Sequence, residues 1–339
     1  MKIRLGTFNL FQFVEPPYSW YTKKEKFNPR QWLEKITWIK SQIRKMDCDI
    51  IGFQEVFSKD ALETLVKELG FKYFVTVDVA KLSTNNPTKY VTTTVALASK
   101  YPINNIEKVN IHFPSIEKYH FEEGSKDPFA FSRVPVKATV TLPNKTELLV
   151  YVCHLKSNRL NEFEHVFNAQ DTLEHKKEVV SKALEDKYSK ALKQRLTEAS
   201  SLFYDIEESK HKPAVLLCDL NDKEFSITID ALSNPRYYDE TSKEKFVLHD
   251  ASYQYKQKVH NPHPEAKELK RKATSYFLGK GNVLDYIFIS DHFDKSNKDK
   301  IAQVTDYTVL DEHLQENRDG SLLQSDHAQV VCELTFDKE

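Results

Sequence analysis

One apolar run, residues 283–290, holds a single acidic residue. The run reads VLDYIFIS, and continuous apolar character of this length predicts a strand buried on both faces, with Asp285 in its middle. A lone carboxylate there is costly unless a metal, a histidine or several backbone donors pair with it. The best candidate partner is Asp326-His327, just before the last apolar run at 328–334. An aspartate paired with a histidine near a strand end is typical of acid–base chemistry.

An amphipathic helix is predicted to begin after Asn28. Asn28 offers a capping side chain, and Pro29 suits the first helical position. Apolar residues then recur at helical spacing from Trp32 to Met46, so one face of this helix is expected to pack on a sheet. A second helix is predicted over residues 58–69.

Strand-like runs alternate with helical segments along the whole chain. The predicted strands are residues 3–10, 49–54, 71–79, 91–99, 134–142, 147–153, 215–218, 283–290 and 328–334. Residues 104–131 are predicted to be irregular, and residues 155–212 contain the longest helical stretch. Hairpins mixed with helical crossovers predict an α/β (α+β) fold. Because no internal repeat or low-complexity linker interrupts the pattern, we expect a single domain over residues 1–339.

The overall charge is balanced. The chain has 49 Lys and Arg against 50 Asp and Glu, a formal net charge of −1, so any attraction for anions must be local. No signal peptide is recognised before the first strand, and no apolar run is long enough to cross a bilayer. The four cysteines lie in or beside apolar runs without the spacing of a zinc or redox pair, which predicts buried free thiols and a cytoplasmic location.

Polar residues of catalytic type end or interrupt the predicted strands. In chain order these are Asn9, Glu55, His154, Asp219 with Asn221, Asp285 and Asp326-His327. Singly, each has an ordinary structural explanation, such as a strand-end turn, a helix cap or a core histidine. Because strand ends converge at one edge of a sheet, together they predict one site. Oxygen ligands favour Mg²⁺, with Mn²⁺ as the alternative, and two imidazoles beside a metal suit phosphoester hydrolysis.

Six short motifs resemble the endonuclease/exonuclease/phosphatase superfamily, which includes DNase I-like nucleases, inositol polyphosphate 5-phosphatases and neutral sphingomyelinases. In the family's order they are Thr7-Phe8-Asn9-Leu10, Asp49-Ile50-Ile51-Gly52-Phe53-Gln54-Glu55-Val56, Cys153-His154-Leu155-Lys156-Ser157, Cys218-Asp219-Leu220-Asn221-Asp222, Leu284-Asp285-Tyr286-Ile287-Phe288 and Ser325-Asp326-His327. Each motif alone is weak, whereas six in order are specific.

The chain departs from the family pattern in two places. Cys218 stands where the family usually has glycine before this aspartate. In addition, the Arg-led helix of the family resumes only at Arg195, so residues 160–193 are predicted to form an added helical element.

The resemblance implies a DNase I-like, four-layer α/β sandwich in which two mixed sheets are flanked by helices. It also implies which residues hold the metal. Glu55 would be the principal ligand, with Asn9 beside it, and Asp326 would complete the metal side.

The resemblance further implies the catalytic roles. Asp219 would orient or deprotonate the attacking water, and Asn221 would hold that aspartate and the scissile phosphate. His154 would donate to a non-bridging phosphate oxygen. His327 would contact the phosphate and be fixed by Asp285.

The expected activity is that of a Mg²⁺-dependent phosphoesterase, a hydrolase that cleaves phosphodiester bonds in DNA or RNA as an endonuclease or exonuclease. Candidate substrate contacts are Arg133, Lys156 and the basic cluster Lys270, Arg271 and Lys272, although each could also be a solvated charge. No obligate protein partner is evident.

Two alternatives stay open at this stage. The same chemistry could act on a phosphoinositide, a sphingolipid or a small nucleotide, or the chain could be an inactive binding module of the same fold. Near-neutral charge weakens the nucleic-acid case, because phosphate contacts dominate that affinity. The absence of a lipid anchor weakens the lipid case, and the complete polar set argues against an inactive module.

Overall fold

The computed structural model describes residues 1–20, 26–120, 129–157, 165–185, 189–244, 246–255, 271–277, 280–316 and 323–337. Its strands are β1 (Lys2–Phe13), β2 (Ser19–Trp20), β3 (Ile50–Val56), β4 (Tyr73–Val75), β5 (Leu82–Ser83), β6 (Asn86–Tyr90), β7 (Thr94–Ser99), β8 (Ile103–Lys108), β9 (Val136–Thr141), β10 (Glu147–His154), β11 (Ala214–Asp219), β12 (His249–Asp250), β13 (Ser275–Phe277), β14 (Lys280–Asn282), β15 (Asp285–Ile289), β16 (Ala302–Leu310) and β17 (Gln329–Phe336). Its α-helices are α1 (Pro29–Met46), α2 (Lys59–Glu68), α3 (Phe113–His120), α4 (Leu173–Leu184), α5 (Lys190–Glu208), α6 (Ile227–Ser233), α7 (Ala251–Gln254) and α8 (Glu312–Glu316).

Two six-stranded sheets pack face to face. The first has the strand order β16-β17-β1-β3-β7-β4, and the second has the order β12-β15-β11-β10-β9-β8. Fully buried side chains from both sheets fill the space between them, including Leu5 and Leu97 from the first and Val150, Leu217 and Ile287 from the second. The core that holds the two sheets together therefore lies between them.

Helices cover the outer face of each sheet. Ile39 and Ile43 of α1 and Leu62 of α2 pack with Phe8 and Phe53 of the first sheet. Residues of α4, α5 and α6 pack in the same way on the second sheet. This arrangement confirms the predicted four-layer α/β sandwich. None of the described helices is long and apolar enough to cross a membrane.

The helix predicted after Asn28 is confirmed, with its capping. The Asn28 side chain accepts a hydrogen bond from the backbone N–H of Gln31, whose side chain accepts one from the Asn28 N–H, and Pro29 begins the helix. This capping box satisfies N–H groups that lack partners inside the helix. The predicted hairpin is also confirmed, since β9 and β10 pair antiparallel.

Several sequence-based boundaries were wrong. The segment predicted to be irregular contains β8 and α3, and β16, which pairs with β17 at the edge of the first sheet, was missed. The predicted strands at 71–79 and 91–99 shorten to β4 and β7. Strand β1 does not end at Asn9 but continues to Phe13.

Part of the predicted insertion at 160–193 is described. It contains α4, whose Thr172 cap accepts a hydrogen bond from the backbone N–H of His175, and the start of α5. Residues 158–164 and 186–188 lie outside the described residues. Whether this element is an insertion into a single domain stays a prediction.

Candidate active site

Strand direction brings three of the predicted residues to one edge of the second sheet. β10 and β11 run parallel, so His154 and Asp219, at their carboxyl ends, are register partners. β15 runs antiparallel to β11, so its first residue, Asp285, is opposite Asp219. Asp285 therefore begins its strand rather than lying in the middle of it, as the apolar run had suggested. It reaches the same edge because the antiparallel strand starts where the parallel strands end.

Asp219 is at the centre of the site and is almost fully buried. Its Oδ2 accepts a hydrogen bond from Asn9 Nδ2 at 2.9 Å, and its Oδ1 accepts one from the backbone N–H of Asn221 at 2.8 Å. His154 Nε2 lies 3.5 Å from Asp219 Oδ2. Burial raises the pKa of Asp219 to about 7, although the nearby His327 opposes that shift. A carboxyl with this pKa can exchange a proton near neutral pH.

Asp285 and His327 form the pair that the sequence predicted. His327 Nδ1 lies 2.8 Å from Asp285 Oδ2 and 3.9 Å from Asp219 Oδ2. The Thr274 hydroxyl accepts a hydrogen bond from the Asp285 backbone N–H. Burial acts to lower the pKa of His327, but the carboxylates of Asp285, Asp219 and Asp326 outweigh it and raise that pKa well above its usual value. His327 is therefore held as an imidazolium.

His154 has the opposite electrostatic character. It is buried, and burial together with the positive charges of Arg133 and His327 lowers the pKa of His154 well below its usual value. Its Nδ1 is buried and has no hydrogen-bond partner among the described residues. The site thus contains one charged and one neutral imidazole.

A kink in β1 orients the Asn9 and Glu55 side chains. Phe11 and Gln12 adopt left-handed backbone conformations, with φ of 50° and 60°, as does Glu55 with φ of 57°. The Phe11 N–H then donates to Asn9 Oδ1 at 2.9 Å, and the Gln12 N–H donates to Glu55 Oε2 at 2.8 Å. A left-handed conformation costs a residue other than glycine about 1–2 kcal/mol. Other interactions of the fold must therefore compensate for the strain that accompanies this placement of the Asn9 and Glu55 side chains.

Asp326 completes a second group of carboxylates. Its side chain keeps 31% of its surface exposed, yet its Oδ1 is buried and has no hydrogen-bond partner among the described residues. Burial, with a contribution from the Glu55 charge, raises the pKa of Asp326 to about 6, and His327 opposes the shift. The Glu55 and Asp326 carboxylates offer the hard oxygen donors that suit Mg²⁺ or Mn²⁺, and Asp326 Oδ1 also lies 3.9 Å from His327 Nε2.

The family comparison agrees with this geometry. The model of the endonuclease/exonuclease/phosphatase family matches residues 6–327. The chain belongs to this family. The family consists of phosphoester-hydrolysing enzymes, which confirms the predicted enzyme class. No curated protein matches the sequence significantly.

Solved structures of low sequence identity share the fold of this family member. The human Nocturnin catalytic domain, crystallised with bound sulfate, is 14% identical with a TM-score of 0.58, covering 99% of this chain and 94% of that chain. Truncated Caenorhabditis elegans TDP2 is 15% identical with a TM-score of 0.53, covering 99% and 98%. D. rerio TDP2 complexed with single strand DNA product is 11% identical with a TM-score of 0.54, covering 98% and 99%.

Arg133 and Lys156 lie beside the sheet edge that carries His154 and Asp219. Arg133 Nη1 donates to the carbonyl of Leu155 at 3.1 Å, and Asn221 Nδ2 donates to the same carbonyl at 3.0 Å. The Lys156 backbone N–H donates to Glu198 Oε2 at 2.8 Å. The residues that follow His154 are thus fixed by a charged side chain on each side.

The two described residues of the basic cluster, Arg271 and Lys272, are both paired with carboxylates of the protein. Arg271 is largely buried, with Nη1 2.5 Å from Asp250 Oδ2, Nη2 donating to the Tyr307 hydroxyl at 2.6 Å, and its guanidinium over the Tyr286 ring. Its charge is already paired inside the protein, so the interpretation of Arg271 as a substrate contact does not hold. Lys272 is half exposed and pairs with Asp311 at 3.1 Å. Lys270 lies outside the described residues.

Sequence analysis assigned no role to two residues that organise the site. The Ser325 hydroxyl donates to the Asn9 carbonyl at 2.7 Å and accepts from the His327 N–H at 3.0 Å. Lys35 is fully buried, and its ammonium donates to the Gln324 carbonyl at 2.9 Å. Lys35 falls on the apolar stripe of α1, between Trp32 and Ile39, where a charged residue is unusual. That mismatch was the signal available in the sequence.

Proposed function

We propose that this protein is a Mg²⁺-dependent phosphodiesterase that hydrolyses phosphodiester bonds in nucleic acid. The observation that carries the proposal is the arrangement around Asp219. This buried carboxylate is held by Asn9 and Asn221 and lies beside His154 and His327. Phosphoester hydrolysis needs a proton acceptor for water together with donors for the phosphoryl oxygens, and this arrangement offers both.

The charge state of each side chain determines its proposed role in the reaction. Asp219, whose pKa is about 7, accepts the proton of the attacking water. His327, kept protonated by Asp285, donates a hydrogen bond to a phosphoryl oxygen and stabilises charge in the transition state. His154, which is neutral, donates to a second oxygen without adding charge.

Glu55 and Asp326 would hold the metal, with Asn9 beside them. The raised pKa of the Asp326 carboxyl, whose buried Oδ1 accepts no hydrogen bond from the described residues, supports a cation at this position. When bound, Mg²⁺ or Mn²⁺ supplies Lewis-acid stabilisation of negative charge on the phosphoryl group. Cys153 and Cys218, which precede His154 and Asp219 in the sequence, are buried free thiols. Free thiols support action in a reducing compartment such as the cytoplasm.

Two classes of substrate, nucleic acid and small phosphodiesters, are compatible with the proposed chemistry. The fold shared with a TDP2 structure solved with single strand DNA product supports nucleic acid. One specific observation favours a small phosphodiester, a nucleotide or a lipid head group instead. The charge of Arg271 is paired with Asp250, so Arg271 does not offer a contact for the phosphates of a long nucleic acid. We place nucleic acid first and keep the small substrate as the second candidate.

A side-by-side hydrolysis screen tests the function. Plasmid DNA, single-stranded DNA, RNA, phosphoinositides and sphingomyelin are incubated with the protein and Mg²⁺ or Mn²⁺, and Glu55→Gln serves as the matched variant. Because Glu55→Gln removes a ligand charge and keeps the side-chain shape, we expect activity to fall about 10²-fold. The Mg²⁺ concentration for half-maximal rate should rise about tenfold. Glu68→Gln, a surface substitution on α2, is the control and should leave both unchanged.

Each outcome decides between the candidates. Hydrolysis of DNA or RNA supports the first proposal, and hydrolysis of only a lipid or small phosphodiester supports the second. No hydrolysis with either metal would mean an inactive module of the same fold. A Mg²⁺ dependence that is the same in Glu55→Gln and in the parent protein would remove Glu55 from the metal site.

A further inference from the structure

A buried lysine interacts electrostatically with the carboxylates of the candidate metal site. Lys35 of α1 is fully buried, and its ammonium lies 5.7 Å and 5.5 Å from the ring centres of Phe11 and Phe27. Burying an ammonium is costly unless hydrogen bonds and opposite charge compensate for lost water. Its surroundings show where that compensation comes from.

The hydrogen bond of Lys35 fastens the loop that carries two proposed functional residues. Its Nζ donates to the carbonyl of Gln324 at 2.9 Å. The next three residues are Ser325, which is bonded to the Asn9 carbonyl, and then Asp326 and His327. Lys35 therefore holds this loop against α1, while Ser325 holds it against β1.

The charges that act on Lys35 are those of the candidate metal ligands. The carboxylates of Glu55 and Asp326 both favour its protonated form, against the effect of burial. A positive charge near these carboxylates reduces the negative potential that a metal ion would meet. Lys35 is thus hydrogen-bonded to the loop, and its charge acts on the candidate metal ligands.

We propose that Lys35 is a positioning residue whose ammonium, when protonated, weakens metal affinity at the Glu55 and Asp326 carboxylates and holds the Asp326-His327 loop in its active arrangement. This inference rests on the proposed metal-dependent function. It assigns two effects of opposite direction to one side chain. Removal of the charge should tighten metal binding, and removal of the anchor should slow the reaction.

Lys35→Met tests both effects, because it keeps most of the buried volume and removes both charge and donor. Mn²⁺ binding to the metal-free protein is measured by isothermal titration calorimetry at about pH 6.5, on the protonated side of the lysine pKa of about 7. We expect Mn²⁺ affinity to rise about tenfold, the scale of one buried charge acting at an effective dielectric constant of about 20. At saturating Mn²⁺, we expect kcat to fall about tenfold or more.

Three further variants separate the explanations. Lys35→Arg keeps the charge and a donor, and should return Mn²⁺ affinity and kcat towards the parent values. Lys176→Met removes another buried lysine, paired with Asp230 at 2.9 Å on the far helical layer, and should change neither. If Lys35→Met does not fold, as judged by circular dichroism, Lys35→Gln removes the charge with a smaller loss of polarity and carries the same expectation for Mn²⁺.

The outcomes distinguish this inference from the proposed function. If the parent protein binds no Mn²⁺, the metal-dependent function itself fails. A second outcome is that the parent binds Mn²⁺, but the folded Lys35→Met variant binds Mn²⁺ equally or more weakly. Lys35 then only stabilises the fold, and the inference is overturned. Lys35→Gln replaces Lys35→Met in this comparison if Lys35→Met does not fold. Tighter Mn²⁺ binding together with a lower kcat supports it, because loss of structure alone weakens both.

Discussion

At the residue scale, opposite electrostatic states are imposed on two histidines close together. Asp285 lies 2.8 Å from His327 and favours its imidazolium form, whereas burial keeps His154 neutral. Environment, rather than residue type, therefore assigns the role of each imidazole. The Asp285–His327 pair is expected to act as a unit.

A double-mutant cycle tests this unit. His327→Ala should lower kcat/KM by about 10³-fold or more, since it removes a charged hydrogen-bond donor. Asp285→Asn should be nearly as damaging, because the charge that keeps His327 protonated is lost. The double variant should be little worse than either single variant. Fully additive losses would show that the two residues act independently.

The pKa of Asp219 leads to a pH dependence with a defined sign. Burial raises this pKa to about 7, so the carboxylate needed as a proton acceptor is lost as pH falls through that value. We expect kcat/KM to fall about tenfold per pH unit on the acidic side. Because a nearby cation favours the carboxylate, saturating Mg²⁺ should move this limb to lower pH. A rate that is flat from about pH 5 to 8 would remove Asp219 as the base.

Residue-scale prediction from sequence succeeded where a motif carried it. Asn9, Asp219, Asp285 and His327 could be placed together because each occupies a recognisable strand-end motif. Arg271 could not be placed, because its partner Asp250 is distant in sequence and belongs to no motif. A basic residue in a loop has the same local signal whether it is solvated or paired inside the protein.

At the scale of elements, the boundaries that could be predicted from sequence are those marked by local residue preferences. Asn28 and Pro29 fixed the start of α1 because their preferences are local. The edge strand β16 was missed because its register shifts at Asp306 and its side chains alternate poorly between buried and exposed. Helix α3 was missed because it has only eight residues, with Pro114 at its second position, and so offers little periodicity.

The end of α1 offers a stability test. Asp47 caps this helix in the left-handed region, with φ of 47° and ψ of 44°, and is exposed. Asp47→Gly should raise the free energy of unfolding by about 0.5–1 kcal/mol, since it relieves strain and removes a negative charge from a helix C-terminus. Asp47→Ala, which removes the charge but keeps the strain, is the control for urea denaturation. An alanine variant more stable than the glycine variant would contradict the strain argument.

At the scale of the whole molecule, the site spans both sheets. Asn9 and Glu55 come from the first sheet, and Asp219 and Asp285 come from the second, with the 2.9 Å bond from Asn9 to Asp219 crossing between them. The resemblance predicted this architecture because the order of the motifs follows the order of the strands. Sequence alone did not give the spacing between the sheets, which depends on side chains that meet only after folding.

At Gly52 the two sheets approach each other closely. A Cβ at Gly52 would lie 2.8 Å from the Leu217 Cβ and 3.0 Å from a Val152 methyl carbon of the facing sheet. Gly52→Ala should therefore lower the free energy of unfolding by about 1–3 kcal/mol. Gly6→Ala is the matched control and should cost less, because the nearest atom there is the flexible end of Met46.

Activity should also respond to Gly52→Ala. Gly52 precedes Glu55 on β3, and Leu217 precedes Asp219 on β11, so pushing the sheets apart there separates the two halves of the site. Because small misplacement of reacting groups is costly, kcat/KM should fall about tenfold or more in folded protein, with little change for Gly6→Ala. Equal kcat/KM in the two variants, measured well below their melting temperatures, would show that the site tolerates movement between the sheets.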